Sequence, residues 1–185
     1  MPPSVRFAIS VLVGVIIGIG SARYMSSESS GIFANSYGKW QNWPVAGDTS
    51  SNPYTLARFL TETKLPEHFS EVLTFYRRDD DQDDRLSEDC NYLLSMPVPT
   101  ARRWSVALET LSAQTPQLVT QDDVISVGGV VEIQLSNTPQ PGNWLQIPDA
   151  GNPKVILRLY DGETITAQGR NGQLGLPSIT RLACS

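Results

Sequence analysis

Residues 7–20, FAISVLVGVIIGIG, hold no charged side chain and one weakly polar one, Ser10, with Arg6 before the run and Arg23 after it. The run is apolar on every side instead of striped, which separates it from the amphipathic helix of a globular surface. A different period follows. Asn52-Pro53 has the form of a helix start, with Asn52 as the N-cap and Pro53 in the first helical position. Leu56, Phe59 and Leu60 then recur at i, i+3 and i+4 and predict the buried stripe of a short helix that Pro66 ends. From there the period falls to two. Strands are predicted over 71–76, 91–96, 103–110, 124–127, 130–135, 143–147 and 154–160. Alternation is clearest where Trp104, Val106 and Leu108 share a face, and where Val131, Ile133 and Leu135 oppose Glu132 and Gln134. Turn signals separate the strands at 79–89, Gly128-Gly129, 139–142, 151–153, Asp161-Gly162 and Asn171-Gly172. The pattern predicts a mainly β chain: a β-sandwich or jelly-roll-like domain with one short helix, preceded by an N-terminal transmembrane helix. Strands do not alternate with helices, which argues against a doubly wound parallel sheet.

The apolar run has two readings. As a secretory signal it offers a basic start and small residues, Gly20 and Ala22, at positions suited to cleavage. As an uncleaved anchor, the stretch between the arginines is about 24 Å of helix, short of a ~30 Å hydrocarbon core, but both arginines can snorkel and Tyr24 suits the interface. The anchor is preferred. The chain then divides into a membrane anchor or signal segment at 1–24, a polar linker at 25–37 and a β domain at 38–185. The α-amino group and Arg6 hold the N-terminal tail inside, so the expected address is the bacterial inner membrane, single-pass, with the C-terminal domain in the periplasm.

At 185 residues the chain has room for about one domain, and 40% hydrophobic against 18% charged residues exclude a disordered chain. Its net charge is −5. Residues 77–89, RRDDDQDDRLSED, set seven acids against three arginines and so carry four of those five charges. The acidity describes one segment, expected as a solvated hairpin loop, and no nucleic-acid partner is expected.

Cys90 and Cys184 are the only cysteines, and an even pair in an exported chain predicts a disulfide; two unrelated buried thiols are the alternative. Metal chemistry finds little support. With Asp79 as position 1 of a calcium loop, position 6 is Asp84 where glycine is required and position 12 is Cys90 where glutamate is required. His68 is the single histidine and follows the helix; no G-x-S-x-G elbow accompanies it, and it reads as a surface or helix-end residue. No phosphate-binding glycine loop is present, and no cofactor is expected. Among the aromatics, Trp144 and Tyr54, together with Arg158 between Leu157 and Leu159, are candidates to line a ligand cleft; the competing reading places the tryptophans in the core.

In this order W-P-x-A-G at 43–47, N-P-Y-T at 52–55, C-x-Y at 90–92, A-R-x-W at 101–104, P-G-N-W-L at 141–145 and L-R-L-Y-D at 157–161 make the chain similar to the bacterial domain of unknown function 1214, over about residues 38–184. It departs from the expected pattern at Leu56, Arg103 and Gln146. The resemblance implies a jelly-roll sandwich, found behind a membrane segment or fused to a related domain of unknown function 1254, with no activity to carry over. Two functions are therefore expected from the residues. The first is a non-catalytic binding or structural module with the membrane and an envelope ligand or protein as partners. The alternative is a carboxylate-dependent periplasmic hydrolase or carbohydrate-active enzyme drawing on Glu71, Glu109, Asp122, Asp123, Glu132, Asp149 or Asp161.

Overall fold

The computed structural model describes residues 2–27, 31–43, 47–61, 67–68, 70–110, 117–148, 151–160 and 174–184. The apolar run forms α1 (Pro3–Ser26), begun by Pro3 in the first turn and ended with Arg23 in the last. None of its residues is buried, and at 1.5 Å per residue its 24 residues reach about 36 Å. Its span Pro3–Met25 has a mean hydropathy of 2.1, the composition of a signal or a membrane anchor.

Two sheets make up the domain. The first contains β1 (Asn35–Tyr37), β2 (Trp40–Asn42), β3 (Val72–Arg77), β5 (Arg103–Glu109), β6 (Gln117–Thr120) and β10 (Lys154–Tyr160), in the order β1-β2-β3-β10-β5-β6. The second runs β11-β4-β8-β7, from β4 (Cys90–Pro97), β7 (Ser126–Val127), β8 (Val130–Ser136) and β11 (Ser178–Cys184). All these pairs are antiparallel; β9 (Trp144–Gln146) adds one short parallel pair to β8. The inward faces share one core: Leu73 and Phe75, Trp104, Val106 and Leu108, and Val155, Leu157 and Leu159 from the first sheet meet Tyr92, Leu94, Met96, Val131, Ile133, Leu135 and Ile179 from the second. This is the predicted sandwich.

The sheets differ on their outer sides. Along β4 burial alternates strictly, because only one face of the second sheet is covered. On β5 and β10, Ser105, Ala107, Lys154 and Ile156 are buried as well, although they point away from the core. Over that outer face α2 (Pro53–Thr61) packs Phe59 with Trp43 and Tyr76. Asn52 caps the helix as expected, its Oδ1 accepting from the N–H groups of Tyr54 (3.0 Å) and Thr55 (2.9 Å). The buried stripe, however, is Thr55, Arg58 and Phe59, while Leu56 and Leu60 face outward. Arg58 displaces them because its guanidinium stacks on Trp43 at 3.5 Å, a cation–π contact that hydrophobic periodicity does not register. Helix residues beyond Thr61, the Pro66 stop, and the turns at Asp161-Gly162 and Asn171-Gly172 lie outside the described residues.

Four strands were not foreseen: β1, β2, β6 and β11. β1 and β2 form a hairpin across Gly38-Lys39, and Asn35 begins inside the stretch expected as linker. Gly38 stands at φ +60° in the first turn position, the type II′ arrangement that favours glycine there. β11 closes the edge of the second sheet against β4 and brings Cys184 opposite Cys90. The two are joined, with Cα atoms 4.0 Å apart. Cross-linking across 94 residues removes unfolded-chain entropy worth about 4–5 kcal/mol on the loop-closure account. Replacing both cysteines with serine should therefore lower stability in urea by roughly 2–5 kcal/mol, with little change in circular dichroism. An unchanged unfolding midpoint would show that the bridge does not restrain β11.

Candidate functional site

The acidic segment, expected as solvated, is instead built into the fold around β11. Asp80 is 0% exposed. Its Oδ1 accepts from the N–H groups of Gln82 (2.8 Å) and Asp84 (3.1 Å), an Asx-type turn helped by Asp83 at φ +70°. Its Oδ2 meets the Arg181 guanidinium at 2.7 Å. Burial raises the Asp80 carboxyl, but the two N–H donors and Arg181 outweigh it and hold the group below its ordinary value. Next to it the Asp81 N–H donates to the Ile179 carbonyl (2.8 Å), and the Asp81 carboxylate takes Arg77 at 2.6 Å and the Thr180 hydroxyl at 3.3 Å. The loop thus holds both the start and the middle of β11.

Arg77 is the hinge between that loop and a cleft. Its Nε donates to the Asp79 carbonyl (2.7 Å) and its Nη1 to the Pro177 carbonyl (3.2 Å), which also takes the indole N–H of Trp40 (2.8 Å). These bonds fix residues 174–177 beside the β1–β2 hairpin. Between them lies a cleft of about 480 Å³ walled by Tyr37, Trp40, Leu174, Leu176 and Pro177, with Lys39, Arg77 and Asp81 at its polar side. Lys39 and Arg77 are shared with a smaller polar pocket of about 80 Å³ that also touches Trp43, Tyr76, Arg78 and Arg85. Lys39 pairs with Asp83 (2.6 Å) and Arg85 with Asp79 (3.3 Å). Both are largely exposed pairs of the kind worth about 0–1 kcal/mol. Burial first, and then the neighbouring Arg85 charge, lower the affinity of Arg78 for its proton. The period-two reading contained the signal for the hairpin, Tyr37 and Trp40 flanking Gly-Lys. It contained none for Leu174–Pro177, whose place depends on Arg77 and Trp40 reaching across the fold.

The candidates named from sequence are not gathered at one point. Trp144 lies on β9, half-buried, its indole N–H donating to the Ser136 carbonyl (3.1 Å) in the second sheet. Arg158 stands on β10 between Thr74 and Ser105, in the first sheet. Tyr54 stacks on Phe33, ring centroids 6.0 Å apart. Trp40, Trp43 and Trp104 are buried, in keeping with the core reading of the tryptophans. Of the carboxylates, Glu109 meets Lys154 at 3.2 Å in the first sheet, Glu132 is on the second sheet, and Asp123 closes a turn onto the Thr120 N–H and hydroxyl (2.8 and 2.7 Å). Asp149 and Asp161 lie outside the described residues. His68 holds the Ser70 hydroxyl on Nδ1 (2.7 Å) and Asp48 on Nε2 (3.2 Å). That sequence of groups resembles a nucleophile relay. The backbone N–H of Ser70 also donates to Nδ1 (3.3 Å), and Asp48 accepts the Ser50 N–H (2.6 Å), so the same bonds close local turns ahead of β3.

Two measurements follow from this geometry. A carboxyl held below its unfolded value, about 3.9, contributes stability that is complete above that pH and vanishes as the pH falls through the folded value. Asp80→Asn should therefore be destabilised at pH 7 and should flatten the acid limb of the stability curve below pH 4; an acid limb identical to that of the parent protein would exclude Asp80 as its source. At Gly175, an added Cβ would stand 2.5 Å from Pro97 Cγ, on a rigid ring. Gly175→Ala should cost about 1–3 kcal/mol and loosen Leu174–Leu176, read as faster amide exchange there; a neutral substitution would show that this wall adapts.

The family model described as Protein of unknown function (DUF1214) matches residues 71–164. Among solved structures, the chain is similar to the VPA0106 protein from Vibrio parahaemolyticus, with a TM-score of 0.56 and 15% identity over 72% of this chain and 36% of that one. It is also similar to an uncharacterized protein from Burkholderia cenocepacia, with a TM-score of 0.50 and 18% identity over 89% of this chain and 41% of that one. At such identities the likeness shows the fold alone, and this chain spans well under half the length of either protein. The sequence has no match among the curated proteins.

Proposed function

The chain belongs to the DUF1214 family, and on that footing we propose that it is a membrane-tethered, non-catalytic binding module of the bacterial envelope, its sandwich held in the periplasm by α1. The observation that carries the binding role is the cleft beside the β1–β2 hairpin, an apolar wall of Tyr37, Trp40, Leu174 and Leu176 with cations at one side. Apolar walls with a few oriented polar groups are the usual make-up of small-molecule sites. Of its charged members, Arg77 is spent on carbonyl groups and Asp81, and Lys39 on Asp83 and the Asp80 carbonyl, an arrangement that shapes the cleft.

The address rests on α1 and the disulfide. About 36 Å of exposed apolar helix exceeds a ~30 Å bilayer core, and a Cys90–Cys184 bridge persists in an oxidising compartment. Arg6 and the α-amino group favour the N-terminus inside. Residues 27–34 separate α1 from β1, a reach of at most about 29 Å, so the cleft works close to the membrane surface.

A reporter active only in the periplasm, fused after Ser185, should be active; silence in an expressed fusion refutes the orientation. The mass of the native N-terminus should retain α1, whereas a chain beginning at Arg23 would identify a cleaved signal. For the cleft, native mass spectrometry of the full chain released from membranes should detect a retained small molecule. That mass should be lost from the Tyr37→Ala/Leu176→Ala variant while the disulfide and circular dichroism persist. Equal retention by the variant would remove the cleft as the binding site.

A further inference from the structure

In a chain of net charge −5, cations converge on one end of the first sheet. Lys39, Arg77, Arg78 and Arg85 border the 80 Å³ pocket beside Trp43 and Tyr76, with Asp79 as the one acid among its described lining residues. Close outside stand Arg58 on Trp43, and Lys154, 5.3 Å from the Tyr76 ring and paired with Glu109. Asp81 and Asp83 answer Arg77 and Lys39 from the loop. Six cations and four carboxylates thus stand together at this end of the sheet among the described residues.

The geometry points to an oxyanion seat in this pocket, so that cleft and pocket together bind a small amphiphile with a phosphate or carboxylate head on an apolar body. This rests on the binding role proposed for the cleft and names the chemistry of what it holds. The pocket volume equals that of about two to three waters at ~30 Å³ each, room for one such head group. Arginine forks match carboxylate and phosphate oxygens in pairs, and two of them, Arg78 and Arg85, face the same space. Their mutual repulsion, on top of the burial of Arg78, is what an entering anion relieves. Arg85 can turn toward it because its present partner Asp79 is solvent-exposed, at 41%, and Lys39 can exchange Asp83, 83% exposed, for it while its Nζ keeps the Asp80 carbonyl at 3.3 Å. Lys39 and Arg77 also border the larger cleft, so a head seated in the pocket sends its attached chain along Tyr37, Trp40 and Leu176. Proximity to α1 places the site where amphiphiles leave or enter a bilayer.

Calorimetry on the full chain in phosphatidylcholine nanodiscs, with empty nanodiscs subtracted, tests this with three probes: butyl phosphate, inorganic phosphate and butanol. Butyl phosphate should bind at least tenfold more tightly than either of the others, since it alone fills both compartments. Arg78→Gln/Arg85→Gln should weaken butyl phosphate at least tenfold and leave butanol unchanged. Arg85→Gln alone, at a largely exposed position, should fold and show part of that loss, and Arg78→Lys should fall between parent and double variant. Inorganic phosphate binding as tightly as butyl phosphate would mean a soluble anion site and overturn the amphiphile. Butanol matching butyl phosphate would overturn the oxyanion seat while the binding role of the cleft survives. No heat from any probe, or butyl phosphate indifferent to both glutamine variants, overturns the proposal.

Discussion

A carboxylate without solvent exposure must be ionised against the cost of leaving water, and Asp80 meets that cost with two backbone N–H groups and Arg181. Arg181 lies on β11, so the loop cannot satisfy its buried acid unless the last strand is in place. Asp81 repeats the logic, binding the Ile179 carbonyl from its N–H and Arg77 from its carboxylate. Arg77 then fixes Pro177, and with it the wall of the cleft. Local turn, sheet edge and candidate site are consequences of the same few charges.

The disulfide secures that arrangement from the far end of β11. Cys184 faces Cys90 directly, and the register shift between Arg181 and Ala183 lets the strand satisfy both the loop and the bridge. Loss of either restraint leaves the other holding one end of the strand. The bridge limits the unfolded chain, whereas the Asp80–Arg181 pair acts on the native state, so the two contribute in different ways.

Asymmetry between the sheets places the remaining chemistry. The second sheet buries one face and shows solvent the other, so its polar residues are ordinary surface. The first is buried on both along β5 and β10, and cations and aromatics are pressed together where α2 and Trp43 meet Tyr76 on its outer side: Arg58 on Trp43, Lys154 near Tyr76. The proposed head-group pocket opens at the margin of that covered face. Membership in the DUF1214 family and the likeness to two larger bacterial proteins agree with the sandwich; the chemistry comes from this chain's own side chains.

The sequence by itself determined what depends on neighbours along the chain. The length and uniform apolarity of α1, the Asn52 cap, and period-two burial along β4 and β8 are local properties, and they held, whereas β5 and β10 are buried on both faces. The β1–β2 hairpin was legible in Tyr-Gly-Lys-Trp but hidden by the polar residues before it. Tertiary structure alone decided the rest. Arg58, not Leu56 or Leu60, faces the sheet because Trp43 waits there; Asp80 is buried because Arg181, 101 positions away in number, closes over it. Trp144 and Arg158 fell on different sheets because pairing order does not follow chain order. A charge's partner is chosen by the fold, and alternation along a strand carries no trace of it.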